Sequence, residues 1–239
     1  VSSADLAQAA LCRLTAPELA SHRRAARALG EVVQAAFRFI GAGARRGVTE
    51  YDAAEFIRSQ FTAAGFETDS GPVVAVNRHA GDPHYDPKPA LSAAIEPGDW
   101  VLIDLWAKQP GGIYGDITWV GYLGGRPPAT HAEVFRVVAG ARDAAVEFIE
   151  RQVRSGEFPP GWEVDAVARR HIEAAGYGPQ FTHRLGHSLG QVVHGYGANL
   201  DGYETQDTRR LAPGLAFTIE PGVYLPEFGV RCEIDLYMT

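Results

Sequence analysis

Five side chains in this chain of 239 residues have the types and positions to hold metal. Asp104 closes the apolar run Val101-Leu-Ile, and Asp116 sits inside Tyr114-Gly-Asp-Ile-Thr118. His187 lies in Gly186-His-Ser-Leu-Gly190, Glu220 ends Leu215-Ala-Phe-Thr-Ile219, and Glu233 follows Val230-Arg-Cys. An apolar run that ends in Glu220 and is stopped by Pro221-Gly222 reads as a buried strand delivering a carboxylate where the sheet stops. From Gly229 to Tyr237 the chain reads as one further strand. Its side chains alternate, so Arg231, Glu233 and Asp235 share one face, while Cys232, Ile234 and Leu236 form the face assigned to the core. Singly, an aspartate at a strand end is most often a turn residue. Five such residues in this order, drawn from both ends of the chain, ask for another reading. Buried charges persist when paired or coordinated, and a metal meets that need.

The elements that must position these groups are legible from caps and breakers. Thr15-Ala-Pro-Glu18 is a capping box with proline in the first turn, predicting a helix from about Ala16 to Ile40 that Gly41-Ala-Gly43 ends. Thr49 with Asp52 starts a second helix, closed by Gly65. Gly71 to Asn77 reads as a strand and the polar stretch 78–90 as a loop. Strands come next at 99–104 and 113–122, joined by Gln109-Pro-Gly-Gly112. The pattern then restarts, with a long helix from about Thr130 to Arg154, a second from Glu163 to Ala175, and more strands.

Glu50-Tyr-Asp-Ala53 through Ala63-Ala-Gly-Phe66 matches Glu163-Val-Asp-Ala166 through Ala174-Ala-Gly-Tyr177. We read this as an internal duplication. It predicts an α+β fold of two pseudo-symmetric helix–helix–strand–strand halves, about 16–125 and 130–239. A site belongs where two such halves meet.

The order Asp, Asp, His, Glu, Glu, with Asp-Ile-Thr, Gly-His-Ser-Leu-Gly and a later His, Thr-Ile-Glu-Pro-Gly and Arg-Cys-Glu, resembles the dinuclear metallopeptidases of the pita-bread fold. These are methionine aminopeptidase, Xaa-Pro aminopeptidase and prolidase. The resemblance runs from about Ala16 to the end. Pro83-His84-Tyr85 and Arg231 resemble the proline-directed branch. It implies a curved, mostly antiparallel sheet and a single catalytic domain over 1–239, without the N-terminal accessory domain of proline-directed relatives. It further implies that Asp104, Asp116 and Glu233 hold one metal, and Asp116, His187, Glu220 and Glu233 the other. A water bridging two divalent cations would lose its proton near neutral pH and attack the peptide bond. One histidine among oxygen donors favours Mn²⁺, with Co²⁺, Fe²⁺ or Zn²⁺ as alternatives. By the same resemblance Glu220 shuttles the proton. His84 and His194 would hydrogen-bond the scissile carbonyl, with His79 as an alternative to His84. His183 and Arg231 would line the substrate side. The expected substrates are Xaa-Pro bonds at peptide N-termini or in dipeptides. Methionine aminopeptidase-like specificity, or a non-catalytic peptide-binding protein on the same fold, are the alternatives.

Some residues depart from that pattern. The Asp104–Asp116 spacing is one residue longer than usual, so a bulge is expected in the hairpin. Trp106 and Trp119 stand near the expected metals, where they would narrow the pocket. Arg231, Arg184, Arg209 and Arg210 are candidates for gripping a dipeptide carboxylate, and Tyr224 either lines the pocket or packs. Gly186-His-Ser-Leu-Gly190 is also a literal nucleophile elbow, but the adjoining Gln191-Val-Val-His-Gly-Tyr-Gly197 is glycine-laced rather than helical.

Composition excludes other classes. The chain is 46% hydrophobic and 21% charged, ordinary for a globular protein. A net charge of −7 argues against nucleic acid. The absence of a long apolar run argues against a membrane span. Cys12 and Cys232 fit neither a disulfide framework nor a zinc pair, which suggests a cytoplasmic protein. The chain is expected to be a monomer or a homodimer. His22, His131 and His171 are expected to be solvated on helices.

Overall fold

The computed structural model describes residues 3–239. Thr15 caps helix α2 (Ala16–Gly43): its backbone N–H donates to Glu18 Oε2 at 2.8 Å, closing the expected box. Thr49 does the same for α3 (Glu50–Ala63), where Asp52 N donates to Thr49 Oγ1 at 3.1 Å and Thr49 N to Asp52 Oδ2 at 2.9 Å. Each such cap is worth about 1 kcal/mol. A first helix, α1 (Ser3–Leu11), precedes them and has no counterpart among the expected elements. It docks through Gln8, whose amide donates to Arg210 O and accepts from Ala198 N.

Three antiparallel strands complete the first half: β1 (Val73–Val76), β2 (Trp100–Ala107) and β3 (Gly115–Tyr122). Val101, Ile103, Leu105 and Ile117 pack on Leu29, Val33, Ile57 and Phe61 of α2 and α3. The second half repeats the scheme with α4 (Ala129–Arg154) and α5 (Gly161–Ala174). Its strands β4 (Ala216–Ile219) and β7 (Ile234–Tyr237) pair, as do β5 (Gly222–Tyr224) and β6 (Gly229–Arg231). Phe217, Ile219, Val223 and Val230 pack on Val138, Ala141, Val164 and Ile172. The long helices have 28 and 26 residues and the shorter ones 14 each, as a duplication requires.

The halves have diverged in detail. In the first tetrad Glu50 is buried and accepts from Val76 N at 2.7 Å; in the second Asp165 is buried and accepts from Leu185 N at 2.9 Å. Both carboxylates tie the start of a helix to the backbone that leads to the site.

The expected strand 229–237 is two strands. At Glu233 the backbone N–H turns to Thr118 O of β3, at 3.1 Å, so the chain leaves β5 and joins β4. The faces stand as expected: Cys232, Ile234 and Leu236 pack on the second core, and the charged face opposite is buried as well. Arg231 and Glu233 are 7% and 2% exposed. Both faces are therefore interior, and the charged one carries the site. Two histidines expected to be solvated are not. His22 is buried, with Nδ1 2.7 Å from Tyr114 O, and His131 stacks on Phe228 at 3.7 Å between centroids. His171 is exposed as expected. Both cysteines are free. No helix of the described residues is long and apolar enough to cross a membrane.

Candidate metal centre and peptide cleft

Strands β2 and β3 pair without interruption, Asp104 opposite Thr118 and Trp106 opposite Asp116. Opposed residues share a face, so these four side chains point away from α2 and α3. The expected bulge is absent: pairing is regular up to Ala107 opposite Gly115, and the connection 108–114 takes up the extra residue. Trp119 lies on the other face, 42% exposed, and does not line the cavity; Trp106 does.

The second half brings its groups to the same place. Thr218 N donates to His187 O at 2.9 Å, and His187 N donates to Thr218 Oγ1 at 3.0 Å. Gly186 permits this approach, because a Cβ there would lie 2.1 Å from Thr218 O. Thr218 Oγ1 also donates to Glu220 Oε1 at 3.1 Å. In the first half Thr118 plays the matching part, donating to Glu233 Oε2 at 2.7 Å and accepting from Arg231 Nε at 3.0 Å. Neither threonine was singled out from sequence. The period-of-two rule would have found both, since each lies two residues from an acid on its own strand face.

Ligand atoms of Asp116, His187 and Glu233 lie within 4.8 Å of one another. His187 Nε2 is 3.5 Å from Asp116 Oδ2 and 3.4 Å from Glu220 Oε1. Burial, then the neighbouring His194, pushes the imidazole pKa down to about 3, so the ring is neutral. Its Nδ1 sits 3.2 Å from Ser188 O, which holds the proton there and turns the bare Nε2 toward the carboxylates. Asp116 Oδ1 is buried with no hydrogen-bond partner. Burial, then Glu233, Asp104 and Glu220, raises the Asp116 pKa well above the usual range. Burial with Glu220 and Asp104 does the same to Glu233. Burial raises Glu220 to about 7, opposed by Arg231. Lone pairs facing lone pairs, an orphaned carboxylate oxygen and acids pushed toward neutrality fit a divalent cation among these donors.

Asp104 differs from the other four. Its Oδ2 accepts from Arg231 Nη2, while Arg231 Nη1 donates to the Tyr224 hydroxyl at 2.9 Å. That hydroxyl also lies 2.8 Å from His183 Nε2. Tyr224 is thus a packed link behind the cavity, and Arg231 has a donor on each of Asp104, Thr118 and Tyr224. Asp235 lies behind Asp116, both its oxygens 3.2 Å from Asp116 N and its Oδ2 3.9 Å from His22 Nε2.

Asp104, Asp116, His187, Glu220, Glu233 and Arg231 line one cavity of 440 Å³, together with His84, His183, His194 and Arg184. His84 is exposed at its lip; the His194 ring stands edge-on to His187 at 4.4 Å. His79 lies elsewhere, its Nδ1 2.9 Å from both Glu50 oxygens. Arg209 and Arg210 are also outside the cavity, on Asp207 and on Phe158 O. The elbow reading of Ser188 fails: its Oγ is buried, accepts from Gly197 N at 3.1 Å, and no helix comes after it.

Residues 20–239 match the model of Metallopeptidase family M24. The chain belongs to this family. Among its M24 relatives, an "Xaa-Pro dipeptidase" of Lactobacillus delbrueckii subsp. lactis is 32% identical over 222 residues, covering 92% of this chain and 55% of that protein. A "Putative dipeptidase YkvY" of Bacillus subtilis (strain 168) is 35% identical over 200 residues, covering 83% and 51%. The chain spans about half the length of these curated relatives. The X-Pro aminopeptidase from Thermotoga maritima MSB8 superposes with a TM-score of 0.82 at 27% identity, over 98% of this chain and 62% of that one. The prolidase from Pyrococcus furiosus gives 0.80 at 26%, over 98% and 65%. The fold is the pita-bread fold expected from the duplication and the motifs, M24 is a metallopeptidase family, and the buried Asp–His–Glu cluster is a group that could hold a metal ion.

Proposed function

We propose that the chain hydrolyses Xaa-Pro bonds in dipeptides or at the N-terminus of peptides, with Asp104, Asp116, His187, Glu220 and Glu233 holding two divalent cations. One observation carries this reading: Asp116 from the first half meets His187 and Glu233 from the second at coordinating distance, with an orphaned oxygen among them. The donor set is oxygen-rich with a single imidazole, which favours Mn²⁺. When bound, the cations supply the positive charge that lets these acids ionise together, Lewis acidity toward a carbonyl, and a water acidic enough to act near neutral pH.

The protein's own groups do the rest. Glu220 is held by Thr218 Oγ1 at 3.1 Å and faces the cavity, so it would take a proton from the attacking water and return it to the leaving nitrogen. His194 is partly desolvated, which lowers its pKa, and it stands beside His187. With His84 at the lip it would donate to the oxygen of the scissile carbonyl. The chain Asp104–Arg231–Tyr224–His183 fixes the wall that faces the substrate. A proline substrate suits such a centre because the Xaa-Pro bond has no N–H, and polarising its carbonyl requires none. Among the arginines weighed for a free carboxylate, Arg184 lines the cavity, its Nη1 3.2 Å from Glu204 Oε2.

The reading is tested by assaying Ala-Pro, Ala-Pro-Gly and Met-Ala-Gly with Mn²⁺, then after chelation. Cleavage of the proline peptides, abolished by chelation and restored by Mn²⁺, is expected. Preference for Met-Ala-Gly would move the chain to the other branch, and absence of cleavage would favour a peptide-binding role.

A further inference from the structure

Trp106 lines the cavity, and no step of the proposed reaction uses that side chain. Trp106 stands beside Asp116, one alternation beyond Asp104 toward the hairpin connection. Three contacts hold the indole. Its Nε1 donates to Asp69 Oδ1 at 2.9 Å. Its six-membered ring lies on Gly71, where a Cβ would come 2.5 Å from Trp106 Cη2 and where φ is +62°. With Val193 it packs against Tyr114, Leu189 and Ala216, residues drawn from both halves of the chain. A ring supported on these sides cannot swing away without breaking a hydrogen bond and opening a void. Gly71 is matched to it, since any larger residue would displace the ring.

Charged side chains on the cavity wall orient a peptide. Asp69 is hydrogen-bonded to Trp106, whereas Arg184 follows His183, which is joined to Asp104 through Tyr224 and Arg231. An ammonium favours Asp69 and a carboxylate favours Arg184, so the amino-terminal residue lies against the indole. Val193, packed on the same cluster, and Val73, opposite Asp104, also line the cavity.

We propose that Trp106, clamped by Asp69 and seated on Gly71, is a specificity-determining residue: it closes the amino-terminal side-chain subsite and restricts it to small residues. The proposal rests on the Xaa-Pro reading above and adds which Xaa is taken.

The test compares kcat/KM for Ala-Pro, Leu-Pro and Phe-Pro in the Mn²⁺-loaded wild type and in Trp106→Ala. The wild type is expected to prefer Ala-Pro. Trp106→Ala should raise the Phe-Pro to Ala-Pro ratio by about 10-fold or more, the scale of discrimination available from apolar pocket size. Asp69→Ala removes only the clamp and should shift the ratio the same way by about 2- to 10-fold, the value of one hydrogen bond. Trp106→Phe keeps a wall without the clamp and should fall between wild type and Trp106→Ala, which keeps the test decisive if the alanine variant does not fold. A ratio unmoved in folded Trp106→Ala or Trp106→Phe, with Mn²⁺-dependent cleavage of Ala-Pro intact, overturns the proposal alone. A wild type that cleaves none of the three overturns the Xaa-Pro reading and this proposal with it.

Discussion

Removing the cations should destabilise the protein more at pH 7.5 than at pH 5, and the size of the difference comes from Glu220. Burial raises its pKa from 4.5 to about 7. The folded, chelated protein therefore holds a proton that the unfolded chain releases above its ordinary carboxylate value. That contribution to stability is present below the unfolded pKa and is lost as pH rises through about 7. The span of roughly 2.5 pH units corresponds to roughly 3 kcal/mol. Asp116 and Glu233 are raised too and act in the same direction. Bound cations favour the ionised acids and remove the penalty, so the stability gap between loaded and chelated protein should widen with pH. His187 titrates the other way: with a folded pKa of about 3 it costs stability below its unfolded value. It is neutral in both forms, however, and cancels in the difference. For a chain of this size 3 kcal/mol moves Tm by roughly 6–12 °C. The assay is thermal unfolding with excess Mn²⁺ and with chelator at half-unit steps from pH 5 to 7.5. A gap that stays constant, or narrows as pH rises, would refute the assignment of these acids to the cations.

Single contacts give further outcomes. Thr118→Val removes the donor to Glu233 and the acceptor for Arg231, and should cost about 2 kcal/mol in denaturant unfolding with a parallel loss of Mn²⁺ affinity by calorimetric titration. Glu50 is fully buried and accepts from Val76 N, His79, Tyr85 and Ala93 N. Glu50→Gln turns one acceptor into a donor and should cost about 1–3 kcal/mol. By loosening the segment that carries His84 it should also lower kcat/KM while Mn²⁺ affinity holds. Arg184→Ala should reduce kcat/KM for Ala-Pro by about 10-fold or more but leave Ala-Pro-Gly less affected; equal losses would argue that Arg184 does not meet a carboxylate.

Local signals in the sequence read well where a short-range cause decides the structure. Thr15 and Thr49 cap helices through neighbours three residues on, and both boxes stand as expected. The repeat of a long and a short helix is visible for the same reason. The converging acids are legible because each ends or interrupts an apolar run. Failures come where long-range packing decides. The helix α1 depends on Gln8 reaching residues near 198 and 210, which no local pattern announces. His22 and His131 sit among charged neighbours in sequence yet face the interior of the fold. Period two puts Glu233 on the correct face, but it cannot show that β6 stops there to let Glu233 N reach Thr118 O. Trp106 and Trp119 look alike in sequence, and the parity of the strand register separates them.

The central claim is that acids from both halves share a pair of cations. Crystals equilibrated with Mn²⁺ and measured at its absorption edge test it directly. The account predicts two anomalous peaks inside the 440 Å³ cavity, one touching Asp104, the other His187 and Glu220, with Asp116 and Glu233 touching both. A single peak, or peaks that leave Asp116 without a metal, would contradict it.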